Sequence, residues 1–229
     1  MIEAVGFDLD GTLIESTDSI VDSMLHTFDS VGEPPPTREE IVATISAPLE
    51  DQMKTLSLGN VDECAKIYRA YYDRTAIEKT TLLPGVFEEL KVLREEGLKL
   101  GIATSKRRAS AEPLLDALGI SGLFEACIGR EDVVLAKPHP EAVLSLLDTL
   151  QVDASSAFFV GDTAYDVGAA HAAGVRCLCV TTGYATAAAL EPLNPEGIFS
   201  GFSELTAYIM ASCNADGAGK LLTDPQSGI

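Results

Sequence analysis

Residues 4–13 read AVGFDLDGTL, a short apolar run that ends in two aspartates and a glycine. An apolar run of this length, followed at once by turn residues, is typical of a buried strand. Four more such runs follow, at residues 98–104, 125–129, 156–161 and 175–181, and stretches of helical spacing lie between them, at residues 85–96, 107–118, 139–150 and 163–173. This alternation predicts an α/β fold with a Rossmann-like parallel sheet and helices on both faces.

One interval breaks the alternation. Residues 16–80 carry apolar side chains at helical spacing only, which predicts an inserted all-helical cap subdomain after the first strand. The catalytic core would then comprise residues 1–15 and 81–212, and the two linkers at one edge of the sheet would form a hinge. Residues 213–229 are polar and glycine-rich, so we predict that they form a disordered tail.

Charge and composition narrow the classes of partner. The chain has 229 residues with 16 basic and 35 acidic side chains, for a formal net charge of -19. Such a charge repels nucleic acid and anionic membrane surfaces alike, so neither is expected as a partner. No run of 18 apolar residues occurs, and the cytoplasm is the default location. The five cysteines show no zinc-site spacing and are expected to be reduced thiols.

Polar side chains stand where several predicted strands end. They are Asp8 and Asp10 after the first run, Thr104 and Ser105 after the second, Asp162 and Asp166 after the fourth, and Lys137 before the helix that leads into the fourth. The carboxyl ends of parallel strands meet at one edge of the sheet, where ligands bind. Carboxylate oxygens suit Mg²⁺, and a lysine with a threonine can hold phosphoryl oxygens. The set therefore offers the parts that phosphoryl transfer needs.

Each residue also has a purely structural interpretation, which the residue pattern alone leaves open. Asp8 and Asp10 could be a solvated strand end, Asp162 the N-cap of a helix that starts at Thr163, Asp166 a first-turn acid, Lys137 a surface lysine, and Thr104 or Ser105 a helix cap. The basic residues 106–108 begin a helix, where cations oppose the helix dipole. A nearby phosphate or acidic cluster would compensate them, although a solvated basic run is the favoured interpretation.

Four segments occur together in order: FDLDGTL at 7–13, GIATSK at 101–106, KPHP at 137–140 and VGDTAYDVGAAHAAG at 160–174. With them the chain resembles the haloacid dehalogenase-like hydrolases, in particular their phosphoglycolate phosphatase-like branch, over residues 2–205. The resemblance implies that Asp8 is the nucleophile that forms an aspartyl-phosphate and that Asp10 is the general acid and then the base. Thr104, with Ser105 beside it, and Lys137 would bind the phosphoryl group.

The resemblance further implies a Mg²⁺ ion held by Asp8, the Asp10 carbonyl and Asp162, with support from Asp166. The predicted function is a Mg²⁺-dependent phosphatase that acts on a small-molecule phosphate ester, phosphoglycolate being the leading candidate, as a monomer or homodimer. A pyrophosphatase or phosphomutase of the same family and a non-enzymatic phosphoacceptor switch are the alternatives. The cap loop at residues 45–50 lacks the arginine that mutases of this group carry there, and Ser46 stands where the phosphatases often have glycine.

Overall fold

The computed structural model describes residues 1–220, with side chains described through Asn214. Its strands are β1 (Ala4–Phe7), β2 (Ile14–Glu15), β3 (Thr81–Leu82), β4 (Lys99–Ala103), β5 (Ala126–Ile128), β6 (Ala157–Gly161), β7 (Arg176–Val180) and β8 (Gly197–Phe199). Its helices are α1 (Thr17–Val31), α2 (Arg38–Val42), α3 (Leu49–Thr55), α4 (Val61–Lys79), α5 (Val86–Glu95), α6 (Arg108–Ala117), α7 (Glu141–Leu150), α8 (Ala164–Ala172), α9 (Ala187–Leu190) and α10 (Phe202–Lys220). None of these helices is long and apolar enough to cross a membrane.

The central sheet has the strand order β5-β4-β1-β6-β7-β8, and every neighbouring pair is parallel. Phe7 at the end of β1 is in register with Ile102 on one side and Val160 on the other. The chain builds β4 and β5 on one side of β1 and β6 to β8 on the other, so the strand order reverses there. A crevice for a ligand is expected at such a point, outside the carboxyl ends of the strands.

Helices cover both faces of the sheet because side chains of the buried strands alternate between two cores. On one face, Phe7 stacks on Phe202 of α10, with ring centroids 6.2 Å apart, and shares a core with Leu90 of α5. On the other face, Phe159 packs in a core with Leu146 of α7. The prediction of a Rossmann-like α/β fold is confirmed.

Helices α1 to α4 occupy the interval for which the sequence predicts a cap, and α1 packs along α4. The chain enters and leaves this interval through β2 and β3, which pair antiparallel with Ile14 opposite Leu82 and Glu15 opposite Thr81. The two linkers are therefore hydrogen-bonded to each other rather than independent. The hinge motion and the division into core and cap stay predictions.

Several elements were not predicted from the sequence, namely the two-residue strands β2 and β3, the edge strand β8 and the helices α9 and α10. β8 is a three-residue edge strand, too short for its alternation to be recognised. Helix α10 continues to Lys220, so residues 213–220 of the predicted disordered tail are helical. A helix that is already nucleated gains one hydrogen bond for each residue it adds, which explains how it continues through a polar segment. Residues 221–229 of that predicted tail lie outside the described residues.

Candidate active site

Asp8 lies directly after β1, at the middle of the sheet edge. Its backbone N–H donates to the Val160 carbonyl at 2.8 Å, which extends the ladder, and the residue is only 9% exposed. Lys137 Nζ donates to Asp8 Oδ1 at 2.7 Å. Burial raises the pKa of Asp8 to about 7 even though Lys137 lowers it, and the negative charge of Asp166 raises it further. Asp8 is thus a buried carboxyl group with a lysine partner rather than a solvated strand end.

Lys137 is a buried lysine that joins two carboxylates, so the surface interpretation is wrong. Its ammonium donates to Asp8 Oδ1, to Asp166 Oδ1 at 2.6 Å and to the Ala103 carbonyl at 3.2 Å. Burial alone would lower the pKa of Lys137, but the carboxylates of Asp166 and Asp8 raise it above its usual value. The side chain therefore provides a fixed positive charge beside Asp8.

Asp162 follows β6 and points toward the end of β1. Thr12 Oγ1 donates to its Oδ1 at 3.0 Å, and the backbone N–H of Tyr184 donates to its Oδ2 at 2.8 Å. The N-cap interpretation is wrong, because the N-cap residue is Thr163 and α8 begins one residue later. Burial raises the pKa of Asp162 well above its usual value, and the negative charges of Asp166 and Asp8 add to this effect.

Asp166 combines a structural role with a position in the site. Its Oδ2 accepts from the backbone N–H and the hydroxyl of Thr163, at 3.0 and 2.7 Å, in a capping box at the start of α8. Its Oδ1 accepts from Lys137. The first-turn interpretation is therefore correct, and the same carboxylate also belongs to the charged cluster around Asp8.

Three buried aspartates form a group whose donor set fits a divalent cation. One carboxylate oxygen from each of Asp8, Asp162 and Asp166 lies within 4.8 Å of the other two. Three buried carboxylates face one ammonium, and burial first, then the negative charges of neighbouring carboxylates, raises the pKa values of Asp8 and Asp162. Hard oxygen ligands of this kind match Mg²⁺. The Asp10 carboxylate is not part of this group, so any contribution of Asp10 to a metal site would come from its carbonyl.

The Asp10 side chain faces the cap instead. Ser16 Oγ donates a short hydrogen bond to Asp10 Oδ1, and Lys106 Nζ lies 3.2 Å from Asp10 Oδ2. The same ammonium donates to Tyr72 Oη in α4 at 2.8 Å. The interpretation of residues 106–108 as a solvated basic run is therefore wrong for Lys106, whose side chain is only 10% exposed. The Asp10 carboxylate compensates the charge of Lys106, which would otherwise oppose the helix dipole at the start of α6.

Thr104 and Ser105 complete the predicted set. Thr104 is buried, and its Oγ1 accepts from the Lys106 backbone N–H at 3.1 Å. It does not cap the following helix, since the N-cap residue of α6 is Arg107 and no side-chain cap hydrogen bond is present there. Both residues line one small pocket with Asp8 and Lys137. The structure thus brings Asp8, Asp10, Thr104, Ser105, Lys137, Asp162 and Asp166 together at one edge of the sheet.

This pocket, which we call the inner pocket, adjoins a second cavity between the core and the helices of the cap interval. Asp10, Ile45 and Ser105 line both of them. A group bound beside Asp8 in the inner pocket would therefore have the rest of its molecule directed past Asp10 into the second cavity. The sequence analysis did not foresee this cavity, because its walls come from segments far apart in the chain.

Sequence reasoning also missed the turn that supports Asp162. Gly183 precedes Tyr184, and a Cβ atom at Gly183 would lie 2.0 Å from Asp162 Oδ2. Gly11, at φ +81°, faces the same carboxylate, with a Cβ position 2.6 Å from Oδ2. The glycine in TTGYAT at residues 181–186, after the fifth predicted strand, was the available signal, since a glycine at a strand end often marks a close backbone approach.

Comparison with known proteins defines the class of protein to which this chain belongs. The family model described as haloacid dehalogenase-like hydrolase matches residues 5–180. A phosphoglycolate phosphatase of Yersinia pestis is 32% identical over 217 residues, covering 91% of this chain and 93% of its own. The pyrophosphatase PpaX of Anoxybacillus flavithermus is 36% identical over 179 residues, covering 76% and 81%. Among solved structures, a haloacid dehalogenase-like family hydrolase of Streptococcus pneumoniae has a TM-score of 0.83 and 30% identity, covering 91% of this chain and 98% of its own.

The chain therefore belongs to the haloacid dehalogenase-like hydrolases. Relatives similar over most of their length carry phosphatase names, and the prediction of a phosphatase of this family is confirmed. The particular substrate does not follow from these similarities, because the two relatives are named for different substrates.

Proposed function

We propose that this enzyme is a Mg²⁺-dependent phosphatase that hydrolyses a small phosphorylated metabolite through an aspartyl-phosphate on Asp8. The observation that carries the proposal is the position of Asp8. It is a buried carboxylate at the carboxyl end of the central strand, bonded to Lys137 at 2.7 Å and close to Asp162 and Asp166. A nucleophile, a fixed cation and a set of metal ligands are the parts that phosphoryl transfer uses.

In the first step, a carboxylate oxygen of Asp8 attacks the phosphorus atom and the bond between phosphorus and the leaving-group oxygen breaks. Asp10, at the boundary with the second cavity, gives its proton to that oxygen. The side chains of Lys137 and Thr104 bind the oxygens of the phosphoryl group during the transfer, with Ser105 beside them. The products of this step are a free alcohol and the phosphorylated Asp8.

In the second step, water attacks the phosphorus atom of the aspartyl-phosphate. Asp10, now ionised, takes a proton from this water, and the bond between phosphorus and the Asp8 oxygen breaks. Inorganic phosphate leaves and both aspartates return to their starting states. Division of one hydrolysis into two displacements lowers the barrier of each, and general acid and base assistance typically contributes about 10² to 10⁴ in rate.

Asp8, Asp162 and Asp166 would hold the Mg²⁺ ion, together with the Asp10 carbonyl that the family resemblance implies. When bound, the ion supplies positive charge that neutralises the phosphoryl oxygens and the acidic cluster. This requirement agrees with the raised pKa of Asp8, since a buried nucleophilic carboxylate near pKa 7 is only partly ionised at neutral pH. A nearby cation favours the charged form that attacks phosphorus.

Phosphoglycolate is the leading substrate candidate, which the similarity to the Yersinia pestis phosphatase supports. Pyrophosphate is the second candidate, and the 36% identity to PpaX favours it. A non-enzymatic phosphoacceptor switch is disfavoured by Asp10, because a switch needs no acid for a leaving group. The helices of the cap interval also disfavour a switch, because a switch needs no lid over its phosphorylation site.

The test measures phosphate release from a panel of phosphoglycolate, pyrophosphate, sugar phosphates and nucleoside monophosphates with Mg²⁺. We expect many turnovers on at least one of these compounds and none after Asp8→Asn, while Asp116→Asn, which alters an exposed aspartate of α6, keeps full activity. Turnover that survives Asp8→Asn would contradict the nucleophile. A single lasting phosphorylation of the wild-type protein would instead identify a switch.

A further inference from the structure

The second cavity, which we call the cap cavity, lies where the leaving group of a substrate would lie. It borders the inner pocket at Asp10, the residue proposed to protonate the leaving-group oxygen. Its volume is about 80 Å³, and a single water needs only about 10–15 Å³ by this measure. The cavity therefore has space for a small group of several non-hydrogen atoms, and the chemistry of its walls bears on what that group is.

The walls of this cavity concentrate positive charge. Four cationic residues line it, namely Arg69, Lys106, Arg107 and Arg130, against the two acidic residues Asp10 and Glu50. The whole chain has only 16 lysines and arginines and a formal net charge of -19. A cluster of this sign opposes the overall field of the protein and creates a local attraction for anions.

Three of the four cations already have an acidic partner. Lys106 lies 3.2 Å from Asp10 and donates to Tyr72, and Arg107 lies 3.3 Å from Asp73. Arg69 of α4 pairs with Glu50, which itself lines the cavity, so a ligand there can compete for this guanidinium. Arg130 of the core has no carboxylate partner among the described residues.

Arg130 donates to the Val133 carbonyl at 2.9 Å, and no carboxylate lies within ion-pair distance of it in the part of the chain that the structure describes. Arg69 forms a short ion pair with Glu50. Burial would raise the pKa of Glu50, but a backbone hydrogen bond together with Arg69 and Arg130 lowers it below the usual value. Both arginines line the same cavity as Glu50, and the charge of each favours the ionised form of that carboxylate.

We propose that Arg69 and Arg130 recognise a negative charge on the leaving group, so that the substrates are small phosphate compounds whose leaving group is itself an anion, either a carboxylate or a second phosphate. Guanidinium groups bind both of these anions with charge-assisted hydrogen bonds. Glu50 is the internal counter-ion that occupies Arg69 in the free enzyme and competes with the ligand. This inference rests on the proposed phosphatase function and adds the class of substrate.

The experiment compares kcat/KM for an anionic and a neutral leaving group that are otherwise alike. Phosphoglycolate carries a carboxylate where 2-hydroxyethyl phosphate carries an uncharged hydroxymethyl group. Pyrophosphate forms the second anionic arm and distinguishes a phosphate from a carboxylate preference. The measured quantity is the ratio of kcat/KM for each anionic compound to that of 2-hydroxyethyl phosphate. The ratio is independent of the fraction of folded enzyme, so a partly unfolded variant still gives a valid result.

We expect the wild-type ratio for at least one anionic compound to exceed 1. Arg69→Gln and Arg130→Gln should each lower this ratio by about 10- to 100-fold, the usual range for loss of a hydrogen bond to a charged group. Arg69→Lys, which keeps the charge, should retain more of the ratio than Arg69→Gln. Glu50→Gln should change the ratio in the opposite direction and raise it, because Arg69 is released. Arg38→Gln, which breaks an exposed ion pair with Asp18 away from both pockets, is the matched control and should leave the ratio unchanged.

A ratio that stays within threefold of wild type in both arginine variants would overturn the inference while leaving the phosphatase function intact. The same holds if Glu50→Gln and Arg69→Gln shift the ratio in the same direction, since a charge effect requires opposite signs. If the wild-type enzyme with Mg²⁺ releases phosphate from none of the three compounds and from no other member of the panel, the proposed function itself fails. The two failures are therefore distinguishable.

Discussion

At the residue scale, the position of Asp162 depends on two glycines that allow the backbone to approach it. A Cβ at Gly183 would lie 2.0 Å from Asp162 Oδ2 and 2.6 Å from the Gly11 carbonyl. Real Cβ atoms do not approach other atoms this closely. The Asp162 carboxylate accepts hydrogen bonds from Thr12 and from the Tyr184 N–H, so it cannot move without losing them. The absence of a side chain at residue 183 is thus a requirement of the acidic cluster.

Gly183→Ala should therefore displace Asp162 and weaken metal binding. Changes to groups that orient a metal ligand typically cost about 10- to 100-fold in affinity, so we expect the Mg²⁺ concentration for half-maximal activity to rise by at least about tenfold. A Mg²⁺ titration of phosphatase activity measures this. Gly201→Ala is the control, because nothing lies within 4 Å of a Cβ at that position. An unchanged Mg²⁺ requirement in Gly183→Ala would contradict this account of the turn.

At the scale of elements, the start of α6 joins the core to α4. Lys106 reaches both Asp10 and Tyr72, while Arg107 and Ser110 contact Asp73, with Ser110 Oγ donating at 2.7 Å. The Lys106 ammonium also lies 4.2 Å from the centroid of the Tyr72 ring, a distance suited to a cation–π interaction. The cations that would destabilise a helix start are thus offset by partners from the cap interval and from the end of β1.

Lys106→Met should reduce kcat/KM by about tenfold or more, because the Asp10 carboxylate loses its only nearby ammonium among the described residues and the link to Tyr72 disappears. Arg108→Met is the matched control in the same basic run. Arg108 pairs with Glu112 and Asp132 and lines neither pocket, so its loss should change kcat/KM by less than threefold. Equal effects of the two variants on kcat/KM would show that catalysis does not depend on the contact between Lys106 and Asp10.

At the scale of the whole molecule, the acidic cluster connects distant parts of the chain. Asp8 follows β1, Asp162 follows β6 and Asp166 belongs to α8, and Lys137 bridges two of them from the loop before α7. Because these carboxylates are assembled only in the folded state, a cation that binds them stabilises the fold by mass action. Repulsion between these carboxylates costs free energy, and the packing of the two halves of the sheet around β1 offsets it.

Mg²⁺ should consequently raise the Tm of the whole protein. At a concentration 100 times the Kd, the expected stabilisation is about 2.7 kcal/mol, which corresponds to roughly 5–10 °C for a chain of this size. Thermal unfolding with Mg²⁺ and after addition of EDTA measures the shift. Asp162→Asn should abolish most of it, and the exposed Asp116→Asn should keep it. A Tm that does not respond to Mg²⁺ in the wild-type protein would argue against the metal site.

The sequence by itself determined five of the six strands of the central sheet, the helices between them and the edge of the sheet where Asp8, Lys137 and Asp162 lie. The physical reason is that apolar periodicity is local, while the meeting of strand ends at one edge follows from parallel pairing alone. Only the tertiary structure decided which groups those residues touch. The contact of Lys106 with Tyr72, 34 positions away, and the lining of the cap cavity by Arg69 and Arg130 depend on how two packed surfaces fit. No local pattern encodes that fit, because it is set by side chains from several segments at once.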